Sequence, residues 1–128
     1  EKIRTEKTNN FTTAYKVSRK TFNNVIKYIS KTDCNYIIDN IFYIPEDIEF
    51  IRNLNKNDFI IIGIYCQKEE LRNRERNRID REAGIAEKLY ENVHTMLNYD
   101  LTVDTTTTTV KQNVQKIYNY CKRYWAEI

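Results

Sequence analysis

Apolar and polar positions form alternating blocks along the chain, and each block predicts one helix or one strand. From about Thr12 to Ser30 apolar residues recur every three or four positions, and this spacing returns over residues 85–97 and after residue 109. Such spacing gathers apolar side chains on one face of a helix. Short apolar runs predict strands instead, at Cys34–Asp39, Phe59–Tyr65 and Leu101–Val103. The order of these elements is typical of an α/β protein.

The run Phe59–Tyr65 is apolar without interruption. Such a run indicates a strand buried on both faces, as in a parallel sheet covered by helices. It is followed by a charged helix predicted over about Lys68–Arg76, by a further helix and by the strand Leu101–Val103. This order forms a parallel crossover, and ligands bind such sheets beyond the carboxyl ends of the strands. We therefore expect the functional side of the protein at those ends.

Two further helix starts are marked by residues that favour a first turn. Pro45, followed by Glu46 and Asp47, suits the start of a short helix that reaches about Leu54. The threonine run Thr105–Thr109 precedes the last helical pattern, and threonine is a good cap residue. The run thus joins the end of a strand to the start of a helix.

Composition excludes several classes of protein. The formal net charge is +3, but basic residues are interleaved with acids, so a nucleic-acid-binding surface is not indicated. No apolar run approaches the roughly 20 residues that span a bilayer, which predicts a soluble chain with no membrane partner. The three cysteines are widely spaced and odd in number, which favours reduced core thiols in a cytoplasmic protein. We expect residues 1–128 to form one domain.

Arginine is concentrated between the second predicted strand and the helix near residue 85. Five arginines alternate with five acids there: Arg72, Arg74, Arg76, Arg78 and Arg81 with Glu69, Glu70, Glu75, Asp80 and Glu82. One interpretation is a solvated helix with surface ion pairs. The other is a lid over about residues 72–84, because guanidinium groups bind phosphate oxygens bidentately and Gly84 can serve as a hinge. The residues alone leave both interpretations open.

Two isolated residues are of types that bind metal ions. Asp39 ends the first predicted strand, where nucleotide-binding sheets place a carboxylate beside magnesium, although solvated and capping aspartates also end many strands. His94 is the only histidine and has no paired cysteine beside it. It therefore does not predict a zinc site, which needs several nitrogen or sulfur ligands.

An ordered set of residues resembles one known family. The set comprises Gly63, Cys66, Leu71, Arg74-Glu75, Arg78, Asp80-Arg81, Gly84, Ala86, His94, Tyr99-Asp100, Val103 and Asp104-Thr105. Its order and spacing resemble the chloramphenicol phosphotransferase-like family of small P-loop kinases, and the resemblance extends from about Thr12 to the end of the chain. It implies a three-layer, adenylate-kinase-like α/β fold with a parallel sheet flanked by helices. The chain would be the carboxyl-terminal part of that domain.

The resemblance also implies roles for individual residues. Arg78 and Arg81 would contact the phosphates of ATP and the transferring phosphoryl group, where positive charge stabilises the transition state. Asp80 would orient the neighbouring arginines. The loop Asp104-Thr105-Thr106 would lie near the adenine and ribose, and Asp39 near Mg²⁺ or its waters.

Some features of that family are missing from these 128 residues. There is no GxxxxGK[ST] phosphate loop, and Asn40 stands where the family's Asp-Asp-Val-Phe type sequence has its second acid. The family's catalytic aspartate would also lie upstream. Without the phosphate-loop strand, the predicted strands at Tyr36 and Phe59 would have a gap between them and unpaired backbone groups. We therefore expect the natural polypeptide to continue upstream by about one β-α-β unit.

These observations leave two functions in competition. The first is an ATP-dependent kinase that uses Mg²⁺ and phosphorylates a hydroxyl group of a small molecule. The alternative is a degenerate, non-catalytic kinase-like domain that acts in nucleotide binding or regulation. A nucleic-acid-binding module fits less well, because it requires a basic face without intervening acids. Neither the acceptor substrate nor the oligomeric state can be read from the residues.

Overall fold

Two units make up the fold, an amino-terminal unit over Glu1–Asp58 and a carboxyl-terminal unit over Phe59–Ile128. In this computed structural model the described residues are 11–79 and 84–125. Two of the residues to which the resemblance gives a role, Asp80 and Arg81, lie outside the described residues.

The amino-terminal unit contains two helices that the sequence predicts. Helix α1 spans Phe11–Ile29 and helix α2 spans Pro45–Arg52, followed by a short 3-10 turn over Lys56–Asp58. Pro45 occupies the first turn of α2, and two acids lie beside it at the positive end of the helix dipole. Both predicted helices are thus confirmed, and each of their ends lies within two residues of its predicted position.

Helix α1 packs within its unit through a partly polar face. Arg19 and Asn23 are turned inward because both donate hydrogen bonds to the buried carboxylate of Asp47 on α2. The apolar spacing predicts that α1 buries Val17 and Val25 with Ile26 beside them; Ile26 is buried, but Val17 and Val25 are half-exposed. The predicted helix is confirmed and its predicted inward face only in part, because the polar pairing of Arg19 and Asn23 with Asp47 helps to determine which side of α1 faces α2.

The prediction of a strand over Cys34–Asp39 is wrong for the described residues. Residues 35–43 belong to no helix and to no sheet. Ile37, in the middle of the apolar run, is fully exposed. A strand exists only through hydrogen bonds to a neighbouring strand, and none of the described residues supplies one here.

The carboxyl-terminal unit contains a parallel crossover. Its elements in chain order are β1 (Ile62–Tyr65), α3 (Lys68–Arg76), α4 (Ile85–Val93), β2 (Leu101–Asp104) and α5 (Val110–Trp125). β1 and β2 are parallel, with Ile62 opposite Leu101 and Tyr65 opposite Asp104. The predicted strand-helix-strand order is confirmed, so the fold is a mixed α/β arrangement with a small two-stranded parallel sheet.

Strand β1 is less buried than its sequence indicates. Gly63 is buried, but Ile64 is 59% exposed. The expectation of burial on both faces therefore fails at Ile64. Among the described residues β1 has a single strand neighbour, β2, so an apolar strand that is typical of a sheet interior here lies at an edge.

Tyr99 packs across β1 immediately before β2 begins. A Cβ atom on Gly63 would lie 2.8 Å from two carbon atoms of the Tyr99 ring, which is closer than van der Waals contact allows. The chain before β2 is further tied to the start of β1, because Ile61 N donates to Asp100 Oδ2 at 2.7 Å and Asp100 N donates to Ile61 O at 2.9 Å. These contacts fix the register of the two strands.

Helix α5 is held to β2 by polar contacts as well as apolar ones. Lys116 Nζ donates to Thr102 O at 2.8 Å, and Asn113 is buried near the end of β2. Cys121 is buried on the same helix, whereas Val114, which the periodicity places inward, is exposed. The helix is confirmed, and its packed face is again partly polar.

The three cysteines are free thiols. Cys121 is buried and Cys66 is half-buried, in agreement with the expectation of core thiols, but Cys34 is exposed. Cys34 lies in the bend after α1, outside any helix or strand, which explains its exposure.

Within residues 11–79 and 84–125, no helix combines the length and the apolar character that crossing a membrane requires.

Candidate functional site

The carboxyl ends of β1 and β2 border an open cleft of about 330 Å³. Its lining residues come from the strand ends, from the loop after β1 and from α4: Tyr65, Cys66, Gln67, Tyr90, Thr102, Val103 and Asp104. This is the side of the sheet where parallel α/β proteins bind ligands. The cleft is therefore the candidate ligand-binding site.

The residues that follow β2 are fastened to those that follow β1. Thr105 donates two hydrogen bonds to Tyr65 O, from its backbone amide at 2.7 Å and from its hydroxyl at 2.9 Å. Gln67 N donates to Thr106 Oγ1 at 2.7 Å. The segment Asp104–Thr106, here called the strand-end loop, is thus held on both strands at the border of the cleft.

Asp104 presents an ionised carboxylate beside the cleft. Hydrogen bonds from Thr106, including one of 2.8 Å from its backbone amide to Asp104 Oδ1, lower the pKa of Asp104, and the charge of Arg74 lowers it further. The side chain is exposed. At neutral pH this group can accept hydrogen bonds from hydroxyl or amino groups of a ligand.

The end of the threonine run caps α5 as the sequence predicts. Thr109 N donates to Gln112 Oε1 at 2.8 Å, and Gln112 N donates to Thr109 Oγ1 at 3.3 Å. This reciprocal pair is a capping box, which satisfies two backbone amides at the start of a helix. Thr108 adds a hydrogen bond from its hydroxyl to Asp104 O. Thr108 and Thr109, which follow the strand-end loop, therefore have a structural role.

Arg74 reaches the strand-end loop from helix α3. Its Nη1 donates to Thr105 Oγ1 at 3.0 Å and its Nη2 donates to Thr105 O at 2.6 Å. Its Nε donates to Glu70 Oε1 at 2.8 Å, one turn earlier on the same helix. The sequence gives Arg74 no individual role. Its signals there are its place among the five arginines of the charged segment and in the Arg74-Glu75 pair of the family-like pattern.

Glu75, the next residue, fixes the start of α4. Its two carboxylate oxygens accept hydrogen bonds from Gly84 N at 2.9 Å and from Ala86 N at 2.8 Å. A carboxylate is favourable there because the first amides of a helix lack partners and carry partial positive charge. Gly84 itself has φ of 89°, a left-handed conformation that glycine adopts without strain.

Ion pairs join α3 and α4 along their length. Arg72 pairs with Glu87, and Lys68 pairs with Glu91 at 3.1 Å and with Glu87 at 3.5 Å. These residues are partly exposed, so each pair contributes little stability. The ion pairs expected of a solvated helix are thus present on α3 for Lys68, Arg72 and Arg74. The lid over about residues 72–84 stays a prediction.

Arg78 lies exposed two residues beyond the end of α3, with its backbone amide donating to Glu75 O at 3.0 Å. It belongs to the same unit as the strand-end loop. The other two residues of the predicted lid site, Asp80 and Arg81, lie outside the described residues. Asp104, Thr105 and Thr106 thus lie at the end of β2, and Arg78 lies near the end of the helix that carries Arg74.

The predicted magnesium residue Asp39 lies in the other unit, where it is exposed in the middle of the segment over residues 35–43. Its neighbour Asn40 accepts a hydrogen bond from Arg19 Nη1 at 2.9 Å. Across the part of the chain that the structure describes, no three His, Cys, Asp or Glu side chains lie close enough to hold a metal by themselves. A metal at Asp39 would need most of its ligands from a substrate and from water.

His94 packs against Tyr65 and Tyr99, next to the end of β1. Its ring stacks on Tyr65 with 3.9 Å between ring centroids, and its Nδ1 shares a hydrogen bond of 2.8 Å with the hydroxyl of Tyr99. Burial lowers the pKa of His94 below its usual value, so the ring is neutral at neutral pH. The side chain supports the end of β1.

His94 is expected to make the stability of this unit depend on pH. Because the folded pKa lies below the unfolded value of about 6.5, the unfolded chain binds the proton more readily. Stability is complete above about pH 6.5 and falls as the pH drops towards the folded pKa. Urea denaturation between about pH 7.5 and pH 5.5 should show a steeper loss of unfolding free energy for the wild type than for His94→Gln. Equal slopes in the two proteins would contradict this account.

A comparison with known proteins gives one match. A family model described as chloramphenicol phosphotransferase-like protein matches residues 2–122. No curated protein and no solved structure matches the chain. The match spans most of the 128 residues and includes both units.

Proposed function

The chain belongs to the chloramphenicol phosphotransferase-like family, and from this premise we propose that it forms part of an ATP-dependent kinase. The family indicates a kinase-type phosphotransferase. The proposed reaction moves the terminal phosphoryl group of ATP to a hydroxyl oxygen of a small molecule, with ADP as the second product and release of the hydroxyl proton. The substrate is defined only by that hydroxyl group.

We propose further that both units belong to one kinase domain with an adenylate-kinase-like, three-layer fold. Support comes from the parallel pairing of β1 and β2 across a helical crossover, which is the connection that such sheets use. The exposed face of Ile64 is a second support, because an apolar strand of this kind is usually covered.

The strand-end loop is the observation that carries the nucleotide assignment. Asp104 lines the open cleft at the carboxyl end of β2, and Thr105 and Thr106, which follow it, are hydrogen-bonded to Tyr65 and Gln67 at the end of the adjacent parallel strand. We assign the adenine and ribose of ATP to this place. The ionised carboxylate of Asp104 is suited to accept hydrogen bonds from ribose hydroxyls, as acids near strand ends do in other nucleotide-binding sheets.

Arg78 and Arg81 are proposed to contact the phosphates and the phosphoryl group in transfer. Phosphoryl transfer requires little covalent help from the protein, so cations placed over the phosphate oxygens are a main catalytic device. Arg78 is exposed near the end of α3, where a ligand can reach it. Asp80 is proposed to orient these arginines, and for Asp80 and Arg81 the sequence pattern is the only support.

Mg²⁺ is proposed to bind with ATP, near Asp39. Magnesium in kinases is held by substrate phosphates, several waters and one or two carboxylates, so a single exposed carboxylate fits this demand. When bound, the ion neutralises phosphate charge and helps to orient the phosphates. In this proposal the chain contributes one metal ligand, the exposed carboxylate of Asp39.

Transfer of labelled γ-phosphate by the natural full-length protein tests the proposal. A phosphate loop is not among these 128 residues, so the full-length protein is the appropriate sample. With a panel of small hydroxyl compounds, Arg78→Ala should lower kcat/KM about tenfold or more, through lost transition-state charge. Arg76→Ala is the matched control, because Arg76 bonds Asn73 on its own helix and should leave kcat/KM within about twofold.

Three outcomes of this assay distinguish the hypotheses. Transfer that is reduced by Arg78→Ala and not by Arg76→Ala supports the kinase and the role of Arg78. Transfer that is unaffected by Arg78→Ala shows that this residue is not part of the phosphate site. Absence of transfer to any acceptor, together with saturable ATP binding in a separate calorimetric titration, supports the alternative, a non-catalytic domain that acts in nucleotide binding or regulation.

A further inference from the structure

We propose that Arg74 is a positioning residue for the nucleotide: it holds the strand-end loop in its binding geometry by clamping Thr105 to helix α3. This inference rests on the proposed function, because the ligand of the loop is the nucleotide assigned there. Arg74 would act through the loop, because it contacts Thr105 and not the reacting atoms.

The clamp consists of two hydrogen bonds to one residue. Arg74 donates to both the hydroxyl and the carbonyl oxygen of Thr105, at 3.0 and 2.6 Å, across 31 positions of sequence. Thr105 in turn donates its amide and its hydroxyl to Tyr65 O. A continuous chain of hydrogen bonds therefore runs from α3 through the strand-end loop to the end of β1.

The guanidinium group is itself held in place for this contact. Glu70 accepts from Arg74 Nε at 2.8 Å, so both the ε and η nitrogens of the group have fixed partners. The planar fork of arginine can meet two acceptors on one residue at once, and a lysine ammonium cannot reproduce that geometry. The contact is thus specific to arginine and not to positive charge.

The clamp lies beside the groups that the nucleotide would meet. The charge of Arg74 lowers the pKa of Asp104, which lines the cleft. If Arg74 is removed, Thr105 loses two of its four hydrogen bonds, and the loop is held less firmly in the geometry that presents Asp104. Binding of the nucleotide then has to order the loop again, which weakens affinity.

The unit should remain folded without Arg74. Glu75 still ties α3 to the start of α4, and the ion pairs of Lys68 and Arg72 with α4 are unchanged. Thr105 also keeps both of its hydrogen bonds to Tyr65 O. The effect of removing Arg74 is therefore expected to be local to the strand-end loop.

The test compares Arg74→Ala, Arg74→Lys and Arg72→Ala in the natural full-length protein. Arg72 lies on the same helix but pairs with Glu87, so Arg72→Ala is a control for loss of an arginine from α3. Titration calorimetry with MgATP should show about tenfold weaker binding for Arg74→Ala and a change within about twofold for Arg72→Ala. Arg74→Lys should restore less than half of the lost binding free energy.

Two further readouts separate positioning from other roles. Amide hydrogen exchange at Thr105 and Thr106 should become several-fold faster in Arg74→Ala, while exchange in the strands stays unchanged. In the transfer assay, KM for ATP should rise about tenfold with kcat changed less than about threefold.

Several results would overturn the inference. Equal affinity and exchange in Arg74→Ala and Arg72→Ala would show that the clamp has no effect on the loop. Faster exchange throughout the unit would show a structural role, and full rescue by Arg74→Lys would show that only the charge matters. Absence of MgATP binding in the wild type would be failure of the proposed function itself, and the role of Arg74 for a nucleotide would fall with it.

Discussion

Asp47→Ala should lower the free energy of unfolding of the amino-terminal unit by about 3 kcal/mol. Asp47 is 1% exposed and pairs with Arg19, whose Nε donates to Asp47 Oδ2 at 2.9 Å. Asn23 Nδ2 donates to Asp47 Oδ1 at 3.0 Å. Removing the carboxylate leaves the guanidinium of Arg19, which is 14% exposed, without its countercharge, and breaking a buried pair costs about 3–5 kcal/mol.

The lower end of that range is expected because Arg19 retains other acceptors. Its Nη1 donates to Asn40 Oδ1 at 2.9 Å and its Nη2 to Ile41 O at 2.7 Å, and these contacts do not depend on Asp47. They can satisfy its hydrogen bonds but not neutralise its charge. The loss should therefore be large without being the full cost of an isolated buried ion.

Urea denaturation followed through amide signals of α1 and α2 measures this effect. Glu46→Ala is the matched control, since Glu46 is an exposed acid one position earlier in the same helical turn and should cost less than about 1 kcal/mol. The double variant Arg19→Met/Asp47→Leu should recover part of the stability, because no buried charge remains. A cost below about 1 kcal/mol for Asp47→Ala would contradict the account of this unit.

The second large effect is expected for Gly63→Ala in β1, at about 2 kcal/mol. The new Cβ would lie 2.8 Å from two atoms of the Tyr99 ring. That ring cannot move aside freely, because the Tyr99 hydroxyl donates to Val93 O at 3.3 Å and shares a hydrogen bond with His94 Nδ1. Overpacking usually costs about 1–3 kcal/mol, and a cost near the upper limit is expected here. Alanine has lower entropy than glycine in the unfolded chain, which offsets about 0.5–1 kcal/mol of that cost.

A double-variant cycle isolates this steric cause. In a Tyr99→Leu background the ring is gone, so Gly63→Ala should then cost less than about half as much by urea denaturation of the carboxyl-terminal unit. The Tyr99→Leu variant alone serves as the reference for that background. The same cost in both backgrounds would mean that the ring is not what requires glycine at position 63.

The local pattern of the sequence determines most helices of this fold. The period of three to four residues predicts α1 at Thr12–Ser30, and the structure has it at Phe11–Ile29. Helix α3 is found where it is predicted, at Lys68–Arg76, and Pro45 marks the start of α2. Helices form from contacts between residues that are close in sequence, so a local pattern contains the necessary information.

Sheet membership and packed faces depend on distant partners, and there the sequence is insufficient. The run Cys34–Asp39 has the composition of a strand but has no neighbour to pair with among the described residues. The inward face of α1 includes the pairing of Arg19 with Asp47, 28 positions apart. Apolar periodicity does not report such a pair, because it scores charged residues as exposed.

The candidate site shows the same division. The position of Asp104–Thr106 follows from the rule that the ends of parallel strands meet, and the structure gathers these residues there. Arg74 was missed because its spacing from Glu70 looks like an ordinary surface pair on a helix. Its contact with Thr105 appears only when the crossover brings the two segments together.

Binding of a nucleotide at the strand-end loop can be observed in a titration of the natural full-length protein with MgATP. Amide signals of Asp104, Thr105 and Thr106 should be followed by NMR, with those of the exposed turn Lys56–Asp58 as an internal control. Saturable shifts are expected at the strand-end loop and none at the control turn. Absence of saturable binding, or saturable shifts that leave the strand-end loop unchanged, would contradict this assignment.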